Sequence, residues 1–232
     1  MRPTLLRRAV AEFVGTLLLL SAVVGSGIMG ERLAAGNVAF ALLANTISTG
    51  AALVAIILAF GPISGAHLNP AVTLNDAWLG GIAWRETPAY ILAQLAGAFA
   101  GTAAAHAMFG LPVFSMSEHV RTGPAQGFSE FVATFGLLAV IWGCARSRPA
   151  AVPVAVGAYI TAAYWFTAST SFANPAVTIA RAFTNTFAGV QPKDVPAFVA
   201  AQICGAFCAT LLFNWLTPRF AYDTSQDPTH DF

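Results

Sequence analysis

The residues with the clearest chemical role in this chain occur in one short pattern that appears twice. The two copies are Asn69-Pro70-Ala71-Val72-Thr73 and Asn174-Pro175-Ala176-Val177-Thr178. Asparagine is a favoured N-cap and proline is favoured at the first helical position, so each copy predicts the start of a helix. A helix N-terminus carries roughly half a positive charge and unpaired amide donors. If the two N-termini meet, their junction repels cations and offers hydrogen bonds to a neutral solute.

The composition places these helix starts in a lipid bilayer. Of 232 residues, 57% are hydrophobic and only 9% are charged, whereas about 25% are charged in an average soluble domain. Too few polar side chains remain to cover a soluble surface. A net charge of +1 provides no basic field for nucleic acid, and three cysteines provide neither a disulfide framework nor a metal site. An integral membrane protein without a cofactor is predicted.

Six apolar stretches are long enough to cross the hydrocarbon core, which takes about 20 helical residues. They cover residues 10–29, 38–60, 88–109, 128–144, 150–168 and 196–216. The stretch after each Asn-Pro-Ala is too short to cross, and irregular backbone at membrane depth must be buried or line a watery cavity. The predicted fold is therefore an all-α membrane protein with six transmembrane helices and two re-entrant half-helices, in one domain over residues 1–232.

Three unlike segments recur in the same order in the two halves of the chain. Besides Asn-Pro-Ala, the pair Glu12-Phe13 returns as Glu130-Phe131, and Gln94-x-x-Gly97 returns as Gln202-x-x-Gly205. This order indicates a duplication over about residues 8–110 and 128–216. Each half has three spans, an odd number, so the two copies must have opposite topology. Inverted repeats share their site near the midplane, where they meet.

The basic residues between the spans predict the orientation, because cytoplasmic loops carry more lysine and arginine. With both termini inside, the cytoplasmic side holds Arg2, Arg7, Arg8, Arg85, Arg146, Arg148 and Arg219. The opposite side holds Arg32, Arg121, Lys193 and, depending on its position, Arg181. Both termini are therefore predicted to be cytoplasmic, with residues 219–232 as a short polar tail.

The duplicated pattern closely resembles the major intrinsic protein family, the aquaporins and aquaglyceroporins. The resemblance covers about residues 8–216 and rests on the two Asn-Pro-Ala motifs and the repeated Glu-Phe and Gln-x-x-Gly signatures. It implies a monomer with its own pore, assembled as a homotetramer, and the bacterial inner membrane as its location. By the same resemblance, Asn69 and Asn174 hydrogen-bond passing solutes.

Four ionisable side chains near the predicted pore each have two interpretations. A carboxylate inside a span is a functional candidate by default, and a proton-coupled transporter would use one. The resemblance instead makes Glu12 and Glu130 structural acceptors for the loops that lead to the half-helices. His67 either lines the cytoplasmic half of the pore, which we expect, or is held by loop carbonyls. Arg181 lies one helical turn beyond Val177 and reaches either the outer vestibule or the headgroups and loop carbonyls.

At the constriction the chain departs from the family pattern. Where the family usually has an arginine directly after the second motif, this chain has Val177. By motif spacing, the other constriction positions fall on Thr49, Ala162 and Ser171, and a one-residue slip would replace Ala162 by Ala163. All four side chains are small and none is charged or aromatic. A wider, half-apolar constriction than in water-selective members is therefore predicted.

The predicted function is passive conduction of small uncharged solutes through the bilayer. A wide constriction admits glycerol-like polyols, water, urea-like molecules and undissociated trivalent hydroxides of arsenic or antimony, with methylated arsenicals as an extension. Similar bacterial members with valine at this position and the run Asn-Pro-Ala-Val-Thr-Ile-Ala-Arg are linked to metalloid transport, but pore width alone does not choose arsenite over glycerol. The alternatives are a channel dedicated to water or glycerol and a proton-coupled secondary transporter. No nucleophile–base pair, phosphate loop or metal cluster is present in the sequence, so no enzyme is expected.

Overall fold

In a computed structural model, residues 3–217 are described. Within them the chain forms eight α-helices, joined by loops and two 3-10 turns at Pro149–Ala151 and Pro192–Asp194. The helices are α1 (Leu5–Leu33), α2 (Val38–Ser64), α3 (Pro70–Leu79), α4 (Thr87–Met108), α5 (Pro124–Ser147), α6 (Val152–Phe166), α7 (Pro175–Arg181) and α8 (Val195–Leu216). The predicted tail, 219–232, lies outside the described residues.

Six helices of the described chain are long and apolar enough to span a membrane: α1, α2, α4, α5, α8, and α6 together with the 3-10 turn before it. The other two, α3 with 10 residues and α7 with 7, are too short to do so. Both begin directly after an asparagine that caps them. The predicted all-helical membrane fold, with six spans and two half-helices, is confirmed.

The ends of α2 and α3 show how local chemistry sets the helix bounds. The second span runs past the predicted end at residue 60, through Pro62, to Ser64, and is followed by Gly65 in a left-handed conformation with φ 91°. The first half-helix is likewise followed by Gly80, with φ 86°. Glycine adopts this conformation without a steric cost, so it is the usual residue just beyond a helix C-terminus.

Close approach between spans depends on glycines at equivalent positions in the two halves. A Cβ atom on Gly97 of α4 would lie only 2.3 Å from the carbonyl oxygen of Phe13 on α1. A Cβ on Gly205 of α8 would lie 2.3 Å from the carbonyl oxygen of Phe131 on α5. Small residues let membrane helices pack backbone to backbone. The α1–α4 and α5–α8 pairs therefore form rigid supports on which the half-helices rest.

Candidate pore

The two half-helices begin at a pair of asparagines that cap them. The Oδ1 atom of Asn69 accepts a hydrogen bond from the Ala71 N–H at 2.9 Å. The Oδ1 atom of Asn174 accepts from the N–H groups of Ala176 at 3.0 Å and Val177 at 3.3 Å. These are the bonds expected of N-caps. Pro70, Ala71, Pro175 and Ala176 are buried in the first turns and hold the caps in place.

The same asparagines join the two half-helices at the centre of the fold. The Nδ2 atom of Asn69 donates to the carbonyl oxygen of Ala173 at 2.8 Å, and that of Asn174 donates to the carbonyl oxygen of Leu68 at 2.7 Å. Each side chain thus caps its own helix and binds the loop that precedes the other. An amide NH2 carries two donors, so each asparagine keeps one donor that bonds no group among the described residues. The positive ends of both helices meet at this point.

A buried carboxylate holds the loop before the first half-helix. Glu12 on α1 accepts hydrogen bonds from the Ser64 hydroxyl at 2.6 Å and from the N–H groups of His67 at 2.9 Å and Leu68 at 2.6 Å. It also accepts from Nε2 of Gln94 on α4, at 2.8 Å. Both oxygens of the carboxylate are therefore engaged in positioning the loop.

The second half repeats this arrangement. Glu130 on α5 accepts from the N–H groups of Phe172 and Ala173, both at 2.9 Å, and from Nε2 of Gln202 at 2.6 Å. Equivalent loop residues in the two halves have left-handed backbones: Ala66 and Leu68 before α3, and Ser171 and Ala173 before α7. Non-glycine residues adopt such angles only where surrounding contacts hold them. The glutamates provide those contacts.

A cavity of about 240 Å³ passes the asparagine junction. A water molecule takes about 30 Å³ in the liquid, so the cavity holds several waters or a small organic solute. Its wall contains seven of the predicted pore residues: Thr49, His67, Asn69, Ser171, Asn174, Val177 and Arg181. The structure thus brings together most of the residues that the sequence singled out.

The prediction that Ala162 lines the constriction is wrong. Ala162 is exposed on the outer face of α6, and Ala163, the alternative, is buried away from the cavity. Ile160 and Tyr164 line the cavity instead. Residues four apart share a helix face, and Ala162, midway between these two, points the opposite way. The Tyr164 hydroxyl lies 3.3 Å from Thr49 Oγ1, so the cavity wall beside Thr49 contains an aromatic ring that spacing to the motif did not predict.

Arg181 combines features of its two predicted alternatives, since it lines the cavity and also binds a loop carbonyl. Its side chain is only 2% exposed and lies at the α7 end of the cavity. Its Nε donates to the carbonyl oxygen of Ala188, and its guanidinium carbon lies 3.4 Å from the centroid of the Phe172 ring. Its terminal nitrogens make no hydrogen bond within residues 3–217. The guanidinium is therefore held inside the fold, against the Phe172 ring and beside the cavity.

His67 lines the cavity as expected, and it has a neighbour that the sequence analysis missed. Its Nδ1 lies 3.2 Å from Thr73 Oγ1, and its Nε2 lies 3.6 Å from Oδ2 of Asp76. Asp76 also lines the cavity, from the last turns of α3. A residue-by-residue alignment of the two half-helices would have revealed it, since Asp76 stands seven residues after Asn69 as Arg181 stands seven after Asn174.

Six membrane-spanning helices around a cavity that passes two opposed half-helix N-termini define a membrane channel. The sequence profile of the major intrinsic protein family matches residues 1–171 and 146–230. The chain is 60% identical over 212 residues, 91% of each chain, to the aquaglyceroporin AqpS of Rhizobium meliloti (strain 1021). It is 34% identical over 220 residues to the aquaporin NIP1-3 of Oryza sativa subsp. japonica, covering 90% of this chain and 73% of that one.

The fold agrees with a solved structure, that of the aquaglyceroporin from Plasmodium falciparum, with a TM-score of 0.70. The match covers 91% of this chain and 96% of the other at 20% identity, which supports the fold alone. From the sequence profile and its relatives, the chain belongs to the major intrinsic protein family. It is thus a membrane channel protein for small solutes, and the prediction that it is not an enzyme is confirmed.

Replacing Asn69 by aspartate is expected to raise cation leak at least about tenfold, because a carboxylate would cancel the positive potential of the two N-termini. The variant keeps a capping oxygen but loses the donor to the Ala173 carbonyl, so a stability loss of about 1–3 kcal/mol should accompany the leak. Potassium flux into proteoliposomes provides the measurement. Asn75→Asp is the matched control: its Nδ2 donates to the Ala71 carbonyl, also at 2.8 Å, but it does not line the cavity. Equal potassium flux in the two variants would contradict central electrostatic exclusion.

Proposed function

We propose that this chain is a passive channel for small uncharged solutes: glycerol-like polyols, water, and trivalent hydroxides of arsenic and antimony, including methylated arsenicals. The observation that carries the proposal is the cavity at the Asn69–Asn174 junction, with Val177 on its wall where the family usually has arginine. The name of the 60% identical relative, an aquaglyceroporin, supports the same solute class.

The chemistry of the constriction supports a polyol or a neutral hydroxide. Its wall combines the hydroxyls of Thr49, Ser171 and Tyr164 with the apolar side chains of Ile160 and Val177. Ser171 Oγ has no hydrogen-bond partner among the described residues, so a water or a solute hydroxyl would supply one. A solute with hydroxyl groups along one edge and an apolar opposite face matches such a wall. The aromatic side chain of Tyr164 makes the constriction narrower than four small residues would. Val177, unlike an arginine at the same position, places no guanidinium in it.

Two observations favour a channel over a proton-coupled transporter. Both oxygens of Glu12 and of Glu130 accept hydrogen bonds from loop amides and glutamine side chains, so neither glutamate is available as a proton relay. The centre of the cavity is positive, because two helix N-termini meet there, and this potential opposes proton or sodium passage. A carrier that uses those ions would need the opposite field.

The arrangement in the membrane forms part of the proposal. We place both termini in the cytoplasm of a bacterial cell and the protein in the inner membrane, with the two repeats inverted within one channel domain. On this assignment the cavity end at α3 faces the cytoplasm and the end at α7 faces outward. We further propose a homotetramer, as the family resemblance implies, in which each monomer keeps its own pore.

Solute-driven swelling of proteoliposomes tests the proposal. Vesicles containing the full chain should swell in glycerol faster than protein-free vesicles, and arsenite should enter them faster as well. An imposed pH or sodium gradient should leave both rates unchanged. A strong dependence on either gradient would establish the transporter instead, and water permeability without glycerol or arsenite entry would reduce the function to a water channel.

A further inference from the structure

The two half-helices carry opposite charges at equivalent positions on the cavity wall. Residues 69–76 and 174–181 align without a gap, and the alignment pairs Asp76 with Arg181. A spacing of seven residues is two helical turns, so each charged side chain lies on the same helix face as the capping asparagine. Both side chains line the cavity, Asp76 at the α3 end and Arg181 at the α7 end. The pore therefore has a negative and a positive end.

Asp76 lies at a position where the dipole of its own helix disfavours a negative charge. It lies near the C-terminus of α3, the negative end of the helix dipole, where a carboxylate is unfavourable. Its carboxylate packs against Gly81, where an added Cβ would lie 2.2 Å from Oδ1. His67 Nε2 lies 3.6 Å from the other oxygen. The dipole of α3 thus disfavours a carboxylate here, whereas the dipole of α7 favours Arg181 at its C-terminus.

The rest of the cavity attracts anions. At the α7 end, the guanidinium groups of Arg181 and Arg121 lie 3.4 Å and 5.2 Å from the centroid of the same Phe172 ring. At the centre, two helix N-termini add further positive potential. Among the described residues that line the cavity, Asp76 is the sole carboxylate. An anion drawn in from the α7 end therefore meets fixed negative charge first at Asp76.

We propose that Asp76, positioned by His67, is the anion-excluding residue of this pore. The inference rests on the proposed channel function and adds to it the basis for rejecting small monovalent anions. A neutral polyol or hydroxide can donate a hydrogen bond to the carboxylate and pass. A monovalent anion of similar size, including the conjugate base of such a solute, is repelled. The pore then has two charge filters: the helix N-termini and Arg181 against cations, and Asp76 against anions.

Anion flux through neutralised variants tests the role of Asp76. Nitrate entry into proteoliposomes would be followed under a potassium–valinomycin clamp, with glycerol swelling measured on the same vesicles. Asp76→Asn should raise nitrate flux at least about tenfold, equal to about 1.4 kcal/mol of barrier, and the ratio of nitrate flux to glycerol flux on the same vesicles should rise with it. Asp76→Glu keeps the charge and should remain at the native nitrate rate. If the asparagine variant does not fold, Asp76→Ser provides a second neutral side chain with the same expected result.

The outcomes separate this inference from the proposed function. Unchanged nitrate flux in a folded, neutral variant that still conducts glycerol would overturn the role of Asp76 and leave the channel intact. An equal rise in choline flux would also overturn it, because a loosened pore leaks both signs of charge. Absence of glycerol swelling in the native protein would remove the channel function itself. A rise in nitrate flux alone in Asp76→Asn would support the role of Asp76. A return towards the native nitrate rate in the Asp76→Asn, Arg181→Gln double variant would support both charge filters.

Discussion

Substituting Val177→Arg is expected to reduce glycerol and arsenite permeability at least about tenfold while water permeability falls by less than about twofold. Val177 lines the same cavity as Thr49 and Ser171. A long, permanently charged side chain at this position takes up cross-section and adds donors that favour the smallest hydrogen-bonding solutes. Because Thr49 and Ser171 are small, the guanidinium can enter without rebuilding the core. It would lie one turn from Arg181, so the α7 end of the cavity would gain a further positive charge.

Osmotic water flux, glycerol swelling and arsenite uptake, measured side by side on matched amounts of protein, check this prediction. Val120→Arg is the control, since it makes the same change at an exposed loop position away from the cavity. Equal loss of water and large-solute flux would indicate plugging or misfolding. No change in any of the three fluxes would mean that Val177 does not line the constriction, and the wide-pore hypothesis would fall with it.

Substituting Glu130→Ala is expected to remove most of the folded protein. The change leaves the buried N–H groups of Phe172 and Ala173 without an acceptor and removes one of the two hydrogen bonds of Gln202 Nε2, which keeps its bond to Thr178. Each unpaired buried donor costs about 1–3 kcal/mol, so the total is a large part of the stability of a typical domain. The left-handed loop would also lose the contacts that hold it. Glu12→Ala should have the same effect in the first half.

Size-exclusion profiles and thermal unfolding in detergent measure this loss. Glu31→Ala, an exposed glutamate at the end of α1, is the control and should behave as the native protein does. Glu130→Gln keeps the shape and one acceptor oxygen, so an intermediate loss is expected. A folded Glu130→Ala variant that conducts glycerol normally would show that the loop does not depend on this carboxylate.

The sequence alone determined the secondary structure and the centre of the site. Hydrophobic length predicted the six spans, because a helix must bury about 20 residues to cross the bilayer. Cap chemistry predicted both half-helices, since asparagine followed by proline starts a helix wherever the chain can form one. Repetition of three segments identified equivalent positions in the two halves. Each of these signals depends either on residues a few positions apart in the sequence or on identical residues in the two halves.

The side chains that face the pore were decided by the tertiary structure. Ala162 was predicted to line the constriction, but the described residues of α6 that line the cavity are Val152, Val156, Ile160 and Tyr164. Arg181 had two open alternatives, and Asp76 was not recognised at all. A span that contacts lipid on one face and other helices on the opposite face is apolar all round. Its sequence therefore has no polar stripe to show how the helix is rotated about its own axis. That rotation is set by packing against the neighbouring helices and by the loop bonds to Glu12 and Glu130, which only the folded chain brings together.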